Sequence, residues 1–184
     1  MKYGLALAGG GTRGAAHVGV LKALDEEHLL PSSIAGTSAG SIVAGLFASG
    51  MSVSRMEQAV LHLEKHGGEY LDPDYSGLLA FMPQLLTGKG VNLSGLIKGD
   101  KLQDYFFQMT GRKHMDEAVF KLVIPAVDLI SGNTICFTNS DKVREMEHVT
   151  WEWNGYLCEA MMAGAGVPAI FAPRKMGRYL LVDG

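Results

Sequence analysis

The sequence predicts an α/β fold in which a mostly parallel sheet has helices on both faces. Short apolar runs, typical of buried strands, alternate with segments of helical spacing along the 184 residues. Glycine-rich stretches follow the first two apolar runs, and ligands of such folds bind at the carboxyl ends of strands. We therefore expect one domain over residues 1–184, with its functional residues at strand ends.

The first two strands and helices are predicted near the N-terminus. Residues 3–8 form an apolar run that ends in glycines, which predicts a buried strand. Residues 14–27 have helical spacing and predict the first helix. Residues 34–36 predict a second short strand, and residues 41–49 predict a helix that ends at Gly50.

The middle of the chain is predicted to be less regular. Ser54 and Glu57 have the spacing of a capping box, which predicts a helix that continues to His66. Residues 67–99 are rich in glycine and show no clean period, so they predict an irregular insertion. Asp100 is placed to cap the helix that follows.

The last third of the chain returns to strands. Residues 121–130 and 134–138 predict two strands joined by a turn at 132–133. Residues 155–163 predict a helix that glycines terminate, and residues 179–182 predict the last strand.

Composition excludes several classes of function. The net charge is -3 and no long basic run occurs, which argues against a nucleic-acid partner and against strong binding to anionic membranes. Cys136 and Cys158 form no C-x-x-C pair, so we expect buried thiols in a reducing compartment and no metal site. No apolar run is long enough for a signal peptide or a membrane span, which predicts a cytoplasmic protein.

The first motif is G-x-S-x-G, formed by Gly36, Thr37, Ser38, Ala39 and Gly40. It lies between a predicted strand and a predicted helix, which is the context of a nucleophile elbow. There the flanking glycines allow a sharp turn that exposes the serine hydroxyl. An ordinary Gly-Ser turn is the alternative, because so short a motif also arises by chance.

The second motif lies between the first strand and the first helix and consists of Gly9, Gly10, Gly11, Thr12, Arg13 and Gly14. Backbone N–H groups at a helix N-terminus bind anions, so this loop is a candidate oxyanion hole. It also fits the dinucleotide fingerprint G-x-G-x-x-G. That fingerprint requires an acidic residue about 20 positions later, where this chain has the apolar second strand and the serine motif.

The third motif is Asp183-Gly184, at the tip of the last predicted strand. No histidine follows Asp183, where the Ser, Asp, His order of α/β hydrolases would place it. His17 lies among small apolar residues and is interpreted as a packed or helix-positioning residue. These observations favour a Ser38–Asp183 dyad, in which partial burial raises the pKa of the aspartate toward that of a useful base.

Together the three motifs resemble the patatin-like phospholipase family, and its small bacterial members in particular. Residues 13–21 are similar to the first helix of that family, and residues 163–173 to the stretch before its catalytic aspartate. The resemblance implies a three-layer fold, Ser38 as nucleophile, Asp183 as base and an oxyanion hole at residues 9–14. It also implies acyl lipid substrates and no metal or other cofactor.

Two departures from the family pattern affect these expectations. The family usually has serine where this chain has Gly164, and its Asp-Gly motif continues into more of the domain. We therefore expect that residues 1–184 lack the C-terminal part of the domain. Residues 78–97 are apolar enough to line an acyl pocket or to make transient contact with a membrane surface, although ordinary core and loop would look the same.

The resulting hypothesis is a serine acyl-ester hydrolase. One alternative is a catalytically weak module that binds a lipid or a protein on the same scaffold. A nucleotide-binding protein, suggested by the glycine loop alone, is another.

Overall fold

A computed structural model describes residues 2–73 and 97–184, and seven strands lie within these ranges. They are β1 Gly4–Leu7, β2 Ser33–Gly36, β3 Lys121–Asp128, β4 Thr134–Thr138, β5 Val149–Glu152, β6 Arg174–Met176 and β7 Tyr179–Asp183. The strands form one mixed sheet in the order β1-β2-β3-β4-β5, with β7 paired to β3 and β6 paired to β7. The β1–β2, β2–β3 and β4–β5 pairs are parallel, and the other pairs are antiparallel.

Helices connect and cover these strands, which confirms the predicted α/β class. They are α1 Ala15–Glu26, α2 Ala39–Ala48, α3 Val53–His66, α4 Asp100–Met109 and α5 Leu157–Gly164. Short 3₁₀ turns span Gly11–Gly14, Gly67–Tyr70 and Met115–Glu117. Helix α2 is almost wholly buried, because its small and apolar residues pack against β2, β3 and α5.

The topology brings two strand ends together. Strand β2 pairs with β3 at residues 121–123, whereas β7 pairs with β3 at residues 126–128. Because β4 occupies the other edge of β3, β2 and β7 share one edge and run toward each other along it. Their carboxyl ends therefore meet, and the residues that follow β2 lie beside Asp183 at the end of β7.

The core lies between the sheet and helices α2 and α5. Alternate residues of β3 are buried, as expected for a strand with one face against helices. Fully buried side chains in this core include Leu122 and Ile124 of β3, Leu181 of β7 and Met161 of α5. This packing holds α2 against β2, which Ser38 follows, and α5 against β7, which ends at Asp183.

The start of α3 differs from the prediction. Ser52 is its N-cap and its hydroxyl accepts a hydrogen bond from the N–H of Arg55 at 3.4 Å. The predicted capping box of Ser54 and Glu57 is therefore wrong. The serine two residues earlier caps the helix, and Glu57 instead pairs with Lys22 of α1 at 2.9 Å.

The start of α4 also differs from the prediction, because Asp100 does not cap it. Gly99 is the N-cap residue in a left-handed conformation, with φ of 77°. The Asp72 carboxylate accepts hydrogen bonds from the N–H groups of Gly99 (2.6 Å), Asp100 (2.8 Å) and Lys101 (3.4 Å). The Asp100 side chain pairs with Arg174 instead. A cap 28 residues away in the sequence has no local signature.

The remaining predictions have mixed outcomes. The sequence does not predict β5 or β6, both of which are short. Most of the predicted insertion, and nearly all of its apolar part at residues 78–97, lies outside the described residues. Cys136 and Cys158 are free and buried as predicted, and burial raises the pKa of the Cys158 thiol to about 12. None of the described helices is both long and apolar enough to cross a membrane.

Candidate active site

Ser38 lies in the sharp turn between β2 and α2, in a backbone conformation that is unusual for a residue with a side chain. Its φ is 52° and its ψ is -128°. Such conformations cost about 1 to 3 kcal/mol and persist only where the surrounding structure enforces them. The turn therefore has the strained geometry of a nucleophile elbow.

Both glycines of the G-x-S-x-G motif are required by close backbone contacts. A Cβ at Gly36 would lie 2.1 Å from the carbonyl oxygen of Gly40. A Cβ at Gly40 would lie 2.5 Å from the carbonyl oxygen of Leu7. Since neither space admits a side chain, the two glycines allow β1, β2 and α2 to converge at Ser38.

Helix α5 holds the backbone of Ser38 in place. The N–H of Ser38 donates to the carbonyl oxygen of Gly164 at 2.8 Å. The buried Ser41 hydroxyl lies 2.6 Å from the carbonyl oxygen of Ser38 and 3.0 Å from that of Met161. Because a hydroxyl carries one hydrogen, Ser41 donates to one of these oxygens at a time. The bond to Ser38 closes the first turn of α2, and the bond to Met161 ties α2 to α5.

Gly164 accounts for one departure from the expected pattern. A Cβ at this position would lie 2.6 Å from Cγ2 of Ile124 and 3.1 Å from Cβ of Ser41. The site therefore fits glycine, and an added side chain would require Ile124 or the backbone around it to shift.

Ser38 and Asp183 are in direct contact. The Ser38 Oγ donates to Oδ2 of Asp183 at 2.7 Å. The N–H of Asp183 donates to the carbonyl oxygen of Gly166 at 3.0 Å, which fixes the end of β7. The structure thus brings together two predicted residues that are 145 positions apart in sequence.

The residues that flank this pair also touch each other. The Thr37 hydroxyl donates to the carbonyl oxygen of Gly184. A Cβ at Gly184 would lie only 2.3 Å from the carbonyl oxygen of Pro125 in β3. The glycine after Asp183 therefore allows the chain to pass close to β3 while Thr37 holds it against the elbow.

The environment of Asp183 makes its carboxylate more basic. Burial raises its pKa above the ordinary value, and it outweighs the hydrogen bonds from the Ser38 hydroxyl and the Gly184 N–H, which lower it. A carboxylate with a raised pKa that already accepts the serine hydrogen is suited to remove that proton.

The glycine loop lies beside Ser38. A Cβ at Gly9 would lie 3.0 Å from Cβ of Ser38, so the loop and Ser38 are in contact. The loop closes on itself through the N–H of Arg13, which donates to Gly10 at 3.1 Å. Within residues 2–73 and 97–184, the N–H groups of Gly10, Gly11 and Ala39 have no hydrogen-bond acceptor. They are available to a bound group.

The other predicted members of this loop, Thr12, Arg13 and Gly14, show no contact with Ser38 or Asp183 among the hydrogen bonds of the described residues. Thr12 and Arg13 are exposed, and Gly14 is buried. A Cβ at Gly14 would lie 2.4 Å from Cβ of Ala39, so this glycine lets α1 begin close to α2. The structure therefore gives Gly14 a packing role and leaves the Arg13 guanidinium in solvent.

None of the six histidines hydrogen-bonds to Ser38 or Asp183. His17 is half-buried, and its Nε2 lies 2.8 Å from the carbonyl oxygen of Ala8, just before the glycine loop. In the described parts of the chain, no group of three or more His, Cys, Asp or Glu residues could hold a metal ion.

Sequence reasoning missed three contributors to the site. The Ser41 hydroxyl and the Gly164 carbonyl act through backbone contacts that leave no pattern in a single sequence. Thr37 lies inside the G-x-S-x-G motif, but its partner at residue 184 becomes evident only when β2 and β7 are placed end to end.

Comparison with known proteins shows the family to which this chain is related. The family model described as patatin-like phospholipase matches residues 5–184. An NTE family protein of Mycobacterium bovis is 26% identical over 190 residues, covering 100% of this chain and 42% of that protein. Mouse patatin-like phospholipase domain-containing protein 6 is 38% identical over 90 residues, covering 49% of this chain and 7% of that protein.

Among solved structures, the heterodimeric ExoU–SpcU complex of the Pseudomonas aeruginosa type III secretion system contains a similar fold. The TM-score is 0.57 at 17% sequence identity, and the match covers 100% of this chain and 40% of that one. At this identity the likeness concerns the fold alone, and it is consistent with a three-layer α/β architecture. The chain thus spans less than half the length of the mycobacterial relative and of the ExoU–SpcU chain it matches.

Proposed function

The chain belongs to the patatin-like phospholipase family, and from that premise we propose that it hydrolyses acyl esters of lipids with Ser38 as nucleophile and Asp183 as base. The observation that carries the proposal is the 2.7 Å hydrogen bond from Ser38 Oγ to Asp183 Oδ2. It joins the two residues expected to react, in the direction that proton transfer requires.

The first half of the proposed reaction acylates the enzyme. Ser38 Oγ forms a bond to the ester carbonyl carbon while Asp183 takes the hydroxyl proton. The tetrahedral intermediate then expels the alcohol, which receives that proton from Asp183. An acyl-Ser38 ester remains.

The second half regenerates the serine. A water molecule attacks the acyl carbon, and Asp183 takes one of its protons. When the second tetrahedral intermediate collapses, Ser38 leaves with this proton and the carboxylic acid is released.

The oxyanion of both intermediates is assigned to backbone N–H groups near Ser38. The N–H groups of Gly10, Gly11 and Ala39 have no acceptor within the described residues, and the glycine loop touches Ser38. Removing one donor of such a hole typically costs about 100- to 1,000-fold in rate. The sequence predicts this role for the whole loop from Gly9 to Gly14. Within it the N–H of Arg13 already donates to Gly10 and Gly14 packs against Ala39, so we propose that these two shape the loop.

The proposal includes transient contact with a lipid surface. Ile170 is 47% exposed and lies four residues after Gly166, whose carbonyl oxygen accepts the N–H of Asp183. An exposed apolar side chain beside this segment would favour approach to aggregated lipid. A cytoplasmic location is part of the same proposal.

The test is the initial rate of hydrolysis of 4-nitrophenyl butyrate by four proteins. Ser38→Ala and Asp183→Asn should each lose at least about 1,000-fold in kcat relative to the unmodified chain. His66→Gln replaces an exposed side chain on α3 and should leave kcat unchanged. Equal rates for the unmodified chain and Ser38→Ala would refute the hydrolase. If binding to phosphatidylcholine vesicles persisted without turnover, the lipid-binding alternative would be favoured.

A further inference from the structure

Strand β1 leads into the glycine loop, and the side chain of His17 binds the backbone where the loop begins. His17, in the first turns of α1, has its Nε2 2.8 Å from the carbonyl oxygen of Ala8. A carbonyl oxygen only accepts hydrogen bonds, so Nε2 must carry the hydrogen and donate it. The bond joins α1 to the last residue before Gly9.

This bond constrains the peptide group that opens the loop. The carbonyl of Ala8 and the N–H of Gly9 belong to one planar unit, in which they point in opposite directions. A donor that fixes the carbonyl therefore also fixes the direction of the Gly9 N–H. Gly9 is also the residue whose Cβ would lie 3.0 Å from Cβ of Ser38.

The start of the loop has few other restraints. Residues 11–14 form a 3₁₀ turn, and the N–H of Arg13 donates to Gly10. Gly9 and Gly10 precede this turn, and glycine has the largest conformational freedom of any residue. Within the described residues, the N–H groups of Gly9 and Gly10 have no backbone acceptor. The Ala8 oxygen also lies close to α2, because a Cβ at Gly40 would lie 2.9 Å from it. His17 therefore supplies a side-chain restraint on the start of this loop.

We propose that His17 is a positioning residue for the oxyanion hole: its imidazole N–H holds the Ala8–Gly9 peptide so that the loop donors face the reacting carbonyl. This inference rests on the proposed hydrolysis at Ser38. His17 hydrogen-bonds to Ala8 and to neither member of the dyad, so we assign it no proton transfer in the reaction. Its contribution is confined to the geometry of the loop.

The test separates this role from simple packing. His17→Leu keeps a side chain of similar bulk without the N–H, and we expect kcat for 4-nitrophenyl butyrate to fall about 10- to 100-fold, with KM within twofold. His17→Gln places an amide N–H near the position of Nε2 and should restore most of the rate. His17→Asn is too short to reach Ala8 and should resemble His17→Leu. His66→Gln is the matched control.

Two further measurements report on the loop itself. The affinity for an alkyl trifluoromethyl ketone, which forms an oxyanion adduct with an active serine, should fall by the same factor as kcat in His17→Leu. Affinity for the corresponding alcohol, which forms no oxyanion, should be unchanged. Backbone ¹⁵N order parameters at Gly9 and Gly10 should fall in His17→Leu, while those in α2 stay the same.

The outcomes distinguish this inference from the hydrolase proposal. A Ser38-dependent rate that is the same in His17→Leu overturns the role of His17 alone. A rate in His17→Gln as low as in His17→Leu also overturns it, because the hydrogen bond would then not be what matters. An unmodified chain no faster than Ser38→Ala overturns both proposals.

Discussion

The close contact between Gly36 and the start of α2 leads to a sharp prediction for Gly36→Ala. The added Cβ would lie 2.1 Å from the carbonyl oxygen and 2.3 Å from the carbonyl carbon of Gly40, whereas ordinary contacts begin near 3.4 Å. Because both atoms are backbone, no side chain can turn aside. Helix α2 would therefore have to move by about 1 Å, a displacement that costs about 100-fold in rate.

The same overlap predicts a loss of stability. Overpacking of this kind costs about 1 to 3 kcal/mol in the free energy of unfolding, and each kcal/mol lowers Tm by about 2 to 4 °C for a domain of this size. The matched control is Gly19→Ala on the exposed face of α1, where an added Cβ meets nothing within 4 Å. That change should stabilise the helix by about 0.5 to 1 kcal/mol and leave the rate unchanged.

The assay measures hydrolysis of 4-nitrophenyl butyrate and urea unfolding for the two variants and the unmodified chain. A Gly36→Ala protein with normal kcat and normal stability would refute the reasoning, because α2 would then not need to approach β2 so closely.

Two other predictions concern carboxylates. Asp128 is 2% exposed and accepts hydrogen bonds from residues 130, 131 and 180, so Asp128→Asn should lower the free energy of unfolding by about 1 to 3 kcal/mol in urea titrations at pH 7. The hydroxyl of residue 131 and these N–H groups lower the pKa of Asp128. The stability that Asp128 contributes is therefore fully present above the ordinary pKa of 3.8 and is lost as the pH falls through the lower pKa of the folded state. The difference in the free energy of unfolding between the two proteins should therefore shrink in acid. In Ser38→Ala, Asp183 loses a donor that lowers its pKa, so ¹³C NMR should show its carboxyl titrating at a higher pH than in the unmodified chain; an equal or lower pKa would contradict the observed hydrogen bond.

The sequence predicts the local motifs of the candidate site better than the strand pairing that brings them together. The G-x-S-x-G and glycine-loop motifs are local, because sharp turns demand glycine at fixed spacings, and each follows a strand as predicted. Asp183 is predicted through its position at the tip of an apolar run. Its contact with Ser38 depends on β2 and β7 sharing one edge of β3, and no local pattern encodes that pairing.

Other details depend on contacts between distant residues. The cap of α4 is Asp72, which is 28 residues from Asp100, so a search of adjacent residues selects the wrong carboxylate. Strands β5 and β6 span only four and three residues, too short for their alternation to stand out. The sequence around His17 indicates only its place in α1, whereas its hydrogen-bond partner is the carbonyl of Ala8 in the preceding segment.

The most direct test of the account is to find the residue that a fluorophosphonate modifies. The reagent reacts with a serine whose hydroxyl is activated, and mass mapping of peptides identifies the site. The account predicts phosphonylation of Ser38 and of no other residue, with much slower labelling in Asp183→Asn. Labelling at a different residue, or no labelling of the folded protein, would contradict the claim that Ser38 and Asp183 form a catalytic pair.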